Sequence, residues 1–279
     1  MDILRTPEAL RKILDEHKLN TIGYVPTMGY FHEGHLSLMD RASAENDIAV
    51  ASIFVNPLQF GPGEDFEKYP RDEERDAALA EKAGIDYLFI PSVQSMYPHE
   101  MRVSLSMNKR TDILCGASRP GHFDGVVTVL AKLFNIVRPD HVYMGLKDAQ
   151  QFAVVQSFCE DLNFPLELIG VPTVREADGL AKSSRNVFLT EKEREEAPAI
   201  YRALIAGEQL SKDPSINTKE VTEQVKQLIT KNTSGTIDYV ECLSYPDLIA
   251  KEEPRGKMIL ATAVKFSGAR LIDNVIFDV

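Results

Sequence analysis

The chain has 279 residues, 44% of them hydrophobic and 26% charged, with a net charge of −11. That is enough length for two modest cores and the composition of a soluble globular protein, not a disordered one. Acidic residues outnumber basic ones by 42 to 31, which argues against a nucleic-acid binder.

The opening MDILRTPEALRKILDEHKLN interleaves charges with apolar residues and does not read as a secretory signal. No other run is long and apolar enough to span a bilayer, so a cytoplasmic location is expected. Cys115, Cys159 and Cys242 form no CxxC pair, which excludes a zinc knuckle or dithiol site and leaves free thiols. An anionic ligand would be met against an unfavourable overall field, so each well-placed Lys or Arg gains weight.

Thr6-Pro7-Glu8 has the pattern of an N-cap followed by proline at the first helical position, opening a helix to about Lys18. Residues 21–26 (TIGYVP) read as the first strand and 35–44 as a helix. The almost wholly apolar 48–55 (IAVASIFV) reads as a strand covered on both faces. A charged amphipathic helix at 72–83 ends at Gly84, and 86–90 is the next strand. Residues 125–137 carry a wide apolar helical stripe stopped by Pro139. A strand at 141–144, a helix at 148–162 and a strand at 166–171 follow. Repeated strand–helix units predict an open, doubly wound parallel α/β sheet.

After about Thr173 the texture changes. Residues 191–211, interrupted or offset by Pro198, and 218–231 read as helices. Residues 236–243, 258–264 and 271–277 read as strands. The expected division is therefore 1–173 and a smaller α+β domain at 174–279.

Ligands of open parallel sheets bind beyond the carboxyl ends of the strands, and four polar, glycine-bearing loops fall there. PTMGYFHEGH follows the first strand. Its His32 and His35 have neither the i, i+4 spacing of a metalloprotease helix nor a nearby third ligand. His35 at the opening of a helix, with Gly29 and Gly34 allowing close backbone approach, suits phosphate. NPLQFGP follows the second strand. Asn56 and Gln59 there suit the hydroxyls and carboxylate of a small polar substrate, or the segment is a plain turn marked by Pro57, Gly61 and Pro62. MGLKDAQQ follows the fourth. Lys147 is placed to reach phosphates, Asp148 either caps the helix or holds Mg²⁺, and Gln151 points back one turn later. READGLAKSSRN follows the fifth. Its Lys182, Ser183, Ser184 and Arg185 offer hydroxyls and charge for phosphoryl transfer, as a closing lid or else as a surface loop. Arg119 and His122, in GASRPGHFDG, either line the rim or order their loop.

These segments together resemble the pantoate–β-alanine ligases, a family of the nucleotidyltransferase superfamily with a HxGH motif. The resemblance runs through PTMGYFHEGHLSL, NPLQFGP, YPR at 69–71, RPGHFDGVVTVLAKLFNIVRPD, KDAQQ, READGL, SSRN and AVKFSGARLIDN. A lone HxGH is shared by many adenylyl- and cytidylyltransferases; the ordered set is specific. It implies a Rossmann-like N-terminal domain, a C-terminal lid, a homodimer, and ATP and Mg²⁺ as requirements. It also implies a two-step reaction. Pantoate is adenylated by ATP with loss of pyrophosphate, and β-alanine then displaces AMP to give pantothenate.

Carried over by position, ATP is met by Thr27, Met28, Gly29, His32, Gly34, His35, Gly145, Leu146, Lys147, Asp148, Val174, Lys182, Ser183, Ser184 and Arg185. His32, His35, Lys147, Ser183, Ser184 and Arg185 form the catalytic set, with His35 the usual designation. Asn56, Gln59, Gln151 and Arg119 are assigned to the substrates, and Asp148 to the metal. Two positions depart from the family's pattern: Leu146 stands where Glu or Gln is usual, and Lys182 where Leu or Met is common. The nearest alternatives are another HxGH adenylyltransferase acting on a phosphate acceptor and a nucleotide sensor without turnover. The first would need a basic acceptor pocket, yet Asn56, Gln59 and Gln151 are uncharged. The second would need no catalytic donors.

Overall fold

The structure, a computed structural model, describes residues 1–61 and 66–279; Pro62 of the predicted turn lies outside the described residues. The chain divides into two compact units. The first comprises Met1–Asn108, Arg119–Leu146 and Val154–Pro172, and the second Lys109–Ser118, Lys147–Ala153 and Thr173–Val279.

Among the described residues the first unit holds six parallel strands, β1 Asp2–Leu4, β2 Ile22–Thr27, β3 Ile48–Ile53, β4 Tyr87–Phe89, β5 His141–Gly145 and β6 Glu167–Val171. Their order is β1-β4-β3-β2-β5-β6. The helices before the C-terminal region are α1 Pro7–Leu14, α2 Glu33–Glu45, α3 Glu73–Lys82, α4 Val93–Met96, α5 Leu114–Ser118, α6 His122–Val137 and α7 Ala149–Asp161. Thr6 caps α1 by accepting the Ala9 N–H at 3.2 Å, with Pro7 at the first helical position.

The edge strand β1 is a correction to the expected order. Three residues are too few to show a period, and only pairing with β4 reveals them. Each rim loop therefore follows a strand numbered one higher: β2, β3, β5 and β6. Two further corrections fall at 114–125. Residues 114–118 are helical, and α6 starts at His122 behind a left-handed Gly121 (φ 79°), so the loop before it is shorter than GASRPGHFDG suggests.

The apolar runs in β2 and β3 have their cause in packing on both faces. Tyr24 turns towards α6 and meets the edge of Phe134, ring centroids 6.5 Å apart. Its neighbour Val25 turns the other way, into a cluster with Leu38, Met39 and Ala42 of α2 and Ala80 of α3. The chain leaves β2 for β3 on one side, and β5 lies on the other, so the topological switch falls between β2 and β5. These two strands pair only at Gly23 with His141 and Tyr24 with Val142, whereas β2 and β3 stay paired from Ile22–Ile48 to Thr27–Ile53. The carboxyl ends of β2 and β5 are thus free of ladder contact with each other, which opens the crevice where such sheets bind ligands.

The second unit has α8 Glu191–Glu196, α9 Pro198–Leu210 and α10 Thr218–Asn232, then an antiparallel sheet of β7 Thr236–Ser244, β8 Lys257–Lys265 and β9 Arg270–Asp278. The helical stretch expected over 191–211, interrupted or offset by Pro198, is divided there into α8 and α9. Pro198 has no N–H to continue the ladder and instead takes the first position of α9. In β8 the side chains alternate. Met258, Leu260 and Val264 pack with Ala203 and Leu204 of α9 and with Val221, Val225 and Ile229 of α10. Ile259 and Ala261 face the other way, onto Leu114 of α5 and Ala149 and Ala153 of α7. That second face is why 109–118 and 147–153 cluster with the C-terminal residues. Among the described residues, no helix is long and apolar enough to cross a membrane.

Glu193 closes the start of α8. Its carboxylate accepts the Thr190 N–H at 2.9 Å and hydroxyl at 3.0 Å, and the Ser267 N–H at 2.7 Å. These donors, Ser267 first, hold its pKa down to about 2 from the ordinary 4.5. A depressed folded-state pKa means a stabilising contribution present above the unfolded value and lost as the pH falls through the folded one. Glu193→Gln should therefore melt below the parent protein at pH 7, with the gap narrowing between pH 4.5 and about 2. A gap that stays constant across that range would assign Glu193 no ionic role.

Candidate active site

At the end of β2, the Thr27 hydroxyl donates to the Ser52 carbonyl of β3 at 2.6 Å and accepts the Gly29 N–H at 3.1 Å. The backbone then turns through two left-handed residues, Gly29 (φ 87°) and Tyr30 (φ 55°). A Cβ at Gly29 would lie 2.8 Å from Ile53 Cγ2, so only glycine fits. Tyr30 is not glycine, and holding it there costs about 1–3 kcal/mol. The compensation is Asp76 of α3, whose side chain is only 1% exposed. Its carboxylate accepts the Tyr30 N–H at 2.5 Å and the Phe31 N–H at 2.7 Å. Hydrogen bonds to a charged group contribute about 1.5–3 kcal/mol each, enough to offset the strain. Burial pushes the Asp76 carboxyl above the ordinary range, against the pull of Phe31, Tyr30 and Arg75. Arg75 donates to the Phe31 carbonyl at 2.9 Å and lies 5.3 Å over the Tyr30 ring.

The helix that follows begins at Glu33, with His32 as its N-cap; His35 is its third residue, not its opening one as expected. The two imidazoles form a reciprocal capping box. His32 Nδ1 accepts the Gly34 N–H at 3.1 Å, and His35 Nδ1 accepts the His32 N–H at 3.4 Å. A neutral imidazole that accepts at Nδ1 carries its proton on Nε2. Both rings are thereby set as Nε2–H donors, 4.2 Å apart between centroids, at the N-terminus of a thirteen-residue helix whose dipole favours anions.

After β3, Asn56 and Gln59 are buried in one network. Asn56 Oδ1 accepts the Tyr97 hydroxyl at 2.9 Å, and Nδ2 donates to the Gly125 carbonyl at 3.1 Å and to Gln59 Oε1 at 3.2 Å. Gln59 Nε2 is then turned to Met28 Sδ at 3.2 Å, joining this loop to the first. Arg119 and His122 both hold the Gln59 backbone carbonyl, at 3.2 and 2.8 Å. A carbonyl only accepts, so His122 carries its proton on Nδ1, and its Nε2 accepts from Arg119 at 3.0 Å. Gly125 is required by close approach, since a Cβ there would lie 2.2 Å from the Leu58 carbonyl oxygen. Tyr97 was invisible to sequence reasoning, as a lone tyrosine in a polar loop carries no pattern.

In the second group of residues, Asp148 does not open α7 but ends a 3₁₀ turn, Leu146–Asp148, beyond Gly145. Its carboxylate is half-exposed, 3.8 Å from Lys147 Nζ. The Lys147 carbonyl accepts from Asn274 Nδ2 at 2.9 Å. Gln150 is a structural residue, donating to the Arg110 and Ile113 carbonyls and accepting the Cys115 N–H, while its neighbour Gln151 is half-buried. Val174 and Lys182 are brought together, the Val174 carbonyl accepting the Lys182 N–H at 2.9 Å. The extra charge of Lys182 is met locally by Glu176, Nζ to Oε1 2.9 Å. Ser183 caps the turn Ser184–Phe188 by accepting the Arg185 N–H at 3.3 Å. Asn186 Oδ1 in the same turn is buried with no partner among the described residues.

Sequence reasoning also missed Arg175, Asp273 and Asn274. Arg175 grips Asp273 through two nitrogens at 2.7 and 2.9 Å and lies 3.6 Å over the Tyr201 ring, fixing the 174–182 loop on β9. The READGL and ARLIDN segments contain both partners of this pair, but nothing in either marks the other.

Gly125→Ala should force the 58–59 backbone aside and lower stability by about 1–3 kcal/mol in denaturant melts. Tyr97→Phe, which removes only the hydroxyl on Asn56, should cost roughly 1 kcal/mol. Equal, negligible losses in both would mean that this network is loose.

The model of the pantoate-beta-alanine ligase family matches residues 2–276. Pantothenate synthetase of Bacillus velezensis is 57% identical over 281 residues, covering 100% of this chain and 98% of that protein. That of Bacillus subtilis is 57% identical over 278 residues, covering 100% and 96%. The crystal structure of pantothenate synthetase from Thermus thermophilus superposes with a TM-score of 0.93 at 44% identity, covering 99% of each chain. Pantoate-beta-alanine ligase from Francisella tularensis, solved in complex with beta-gamma ATP and beta-alanine, superposes with a TM-score of 0.81 at 33% identity, covering 99% of this chain and 97% of that one. The chain belongs to the pantoate–β-alanine ligase family and is a ligase of pantothenate synthesis.

Proposed function

We propose that the chain condenses pantoate with β-alanine at the expense of ATP through a pantoyl adenylate. A pantoate carboxylate oxygen attacks the α-phosphorus, the bond to the β-phosphate oxygen breaks, and pyrophosphate leaves with the electron pair. The β-alanine amine then attacks the activated carbonyl and loses a proton. AMP departs, and the amide of pantothenate remains. The observation that carries this reading is the imidazole capping box. It spends Nδ1 of His32 and His35 on the backbone and directs both remaining protons to Nε2, as donors to phosphate need. Phosphoryl transfer asks for positioning and charge neutralisation, which matches a donor set without a nucleophile.

In this reading Thr27, Met28, Gly29, Gly34, Gly145 and Leu146 shape the nucleotide site around the two histidines. Lys147, Lys182, Ser183, Ser184 and Arg185 supply further donors, with Val174 near the base. Asn56, Gln59 and Gln151 bind pantoate, and Gln59 also meets β-alanine. Arg119 acts on the substrate through the Gln59 carbonyl that it holds. The complex of the Francisella tularensis ligase with an ATP species and β-alanine supports two of the three substrates. Among the described residues no three His, Cys, Asp or Glu side chains gather as a metal group. Mg²⁺ keeps several waters and uses one or two carboxylates plus phosphates. Asp148, half-exposed beside Lys147, would hold it, and it would neutralise phosphate charge.

Pantoate alone should drive ATP–pyrophosphate exchange without β-alanine; a folded, amide-forming enzyme that shows no exchange would rule out the adenylate. His35→Ala should lower turnover at least ~100-fold, the effect of deleting a preorganised donor to developing charge. Near-parental turnover would return His35 to a capping role alone.

A further inference from the structure

We infer that Asp76 and Arg75, which take no part in the reaction proposed above, are positioning residues for the His32–His35 pair. The inference rests on the reading of those histidines as phosphate donors. Its geometry stands within one unit. Asp76 and Arg75 lie in the first turn of α3, whose N-terminus is already capped by Asp72, accepting the Arg75 N–H at 3.2 Å. The helix therefore does not need the Asp76 carboxylate, which turns instead to the Tyr30 and Phe31 amides. Arg75 takes one of the two backbone carbonyls of these residues, that of Phe31, and covers the Tyr30 ring.

Together they fix both amides and one carbonyl immediately before His32. His32 is the residue on which the capping box turns: its amide orients His35, and its own ring is set by Gly34. Release of the left-handed Gly29–Tyr30 turn would let the N-cap rotate and both Nε2–H vectors drift. Asn56 and Gln59 have separate supports in Tyr97, Gly125, Arg119 and His122, so the pantoate side should be spared. The signature is a loss in kcat, with some rise in KM for ATP and little change in KM for pantoate.

The test compares Asp76→Ala and Arg75→Met with the parent protein by thermal melting, by steady-state kinetics in ATP and in pantoate, and by NMR of the imidazole nitrogens. Asp76→Ala should lower kcat at least ~30-fold and Arg75→Met about 5-fold, with KM for pantoate held within about 2-fold, as expected when donors lose their productive geometry. Arg75→Lys, which keeps a donor for the Phe31 carbonyl, should recover part of the loss. A folded Asp76→Ala protein with parental kcat and ATP KM overturns the inference, as does an equal loss on the pantoate side. If Asp76→Ala does not fold, Arg75→Met decides, and unchanged kinetics there overturn it. If the parent protein forms no pantothenate, the proposed function fails by itself. The nitrogen spectra then decide the positioning role: it holds if Arg75→Met mixes the Nε2–H tautomers of His32 and His35, and is lost if their signals are unmoved.

Discussion

Each of the two histidines in the HEGH segment has one ring nitrogen committed to the backbone, and the organisation of the first unit follows from that constraint. An N-cap is usually a small hydroxyl, carboxylate or amide side chain. Here the cap and its reciprocal partner are both imidazoles, so closing the helix and orienting two proton donors are one event. This works only if the chain arrives at His32 from a fixed direction. The left-handed pair Gly29 and Tyr30 sets that direction, and the Asp76 carboxylate, buried beneath it, keeps the turn from relaxing.

The sheet supplies the setting. Because β2 and β5 pair only at Gly23–His141 and Tyr24–Val142, the loops after them leave from strand ends that no ladder holds together. The opposite neighbour, β3, stays paired with β2 along its length, and so the Asn56–Gln59 turn is carried in register with the histidine loop. The contact from Gln59 to Met28 is the result. The histidine loop and the Asn56–Gln59 turn are thus neighbours through sheet register as well as through a side-chain contact.

Much of this was readable in the residues. The parallel α/β alternation, the helix-stopping Pro139, the Thr6 cap and the four polar rim loops are local signals, and local signals survive in one sequence. What stayed hidden was of two kinds. Short elements such as β1 and α5 exist only through tertiary partners, since three or five residues cannot display a period. Long-range polar pairings, Asp76 with the 30–31 amides and Arg175 with Asp273, join residues 45 to 46 and 98 apart in the chain, and no spacing rule announces them. The start of α2 at Glu33, two residues before His35, is hidden for a related reason: a histidine as N-cap lies outside the usual preference.

The alternation in β8 bears on how the second unit folds. One face of that strand is covered by the two long helices that shortly precede it in the chain, α9 and α10, but the other is covered by short stretches from 109–118 and 147–153. A fragment starting at residue 174 would contain every strand of the small sheet and still leave Leu243, Leu248, Ile259 and Ala261 bare. Such a piece would be prone to self-association. The C-terminal residues are thus a unit in space but not an autonomous stretch of chain, and the ribosome must deliver their far wall long before their sheet exists.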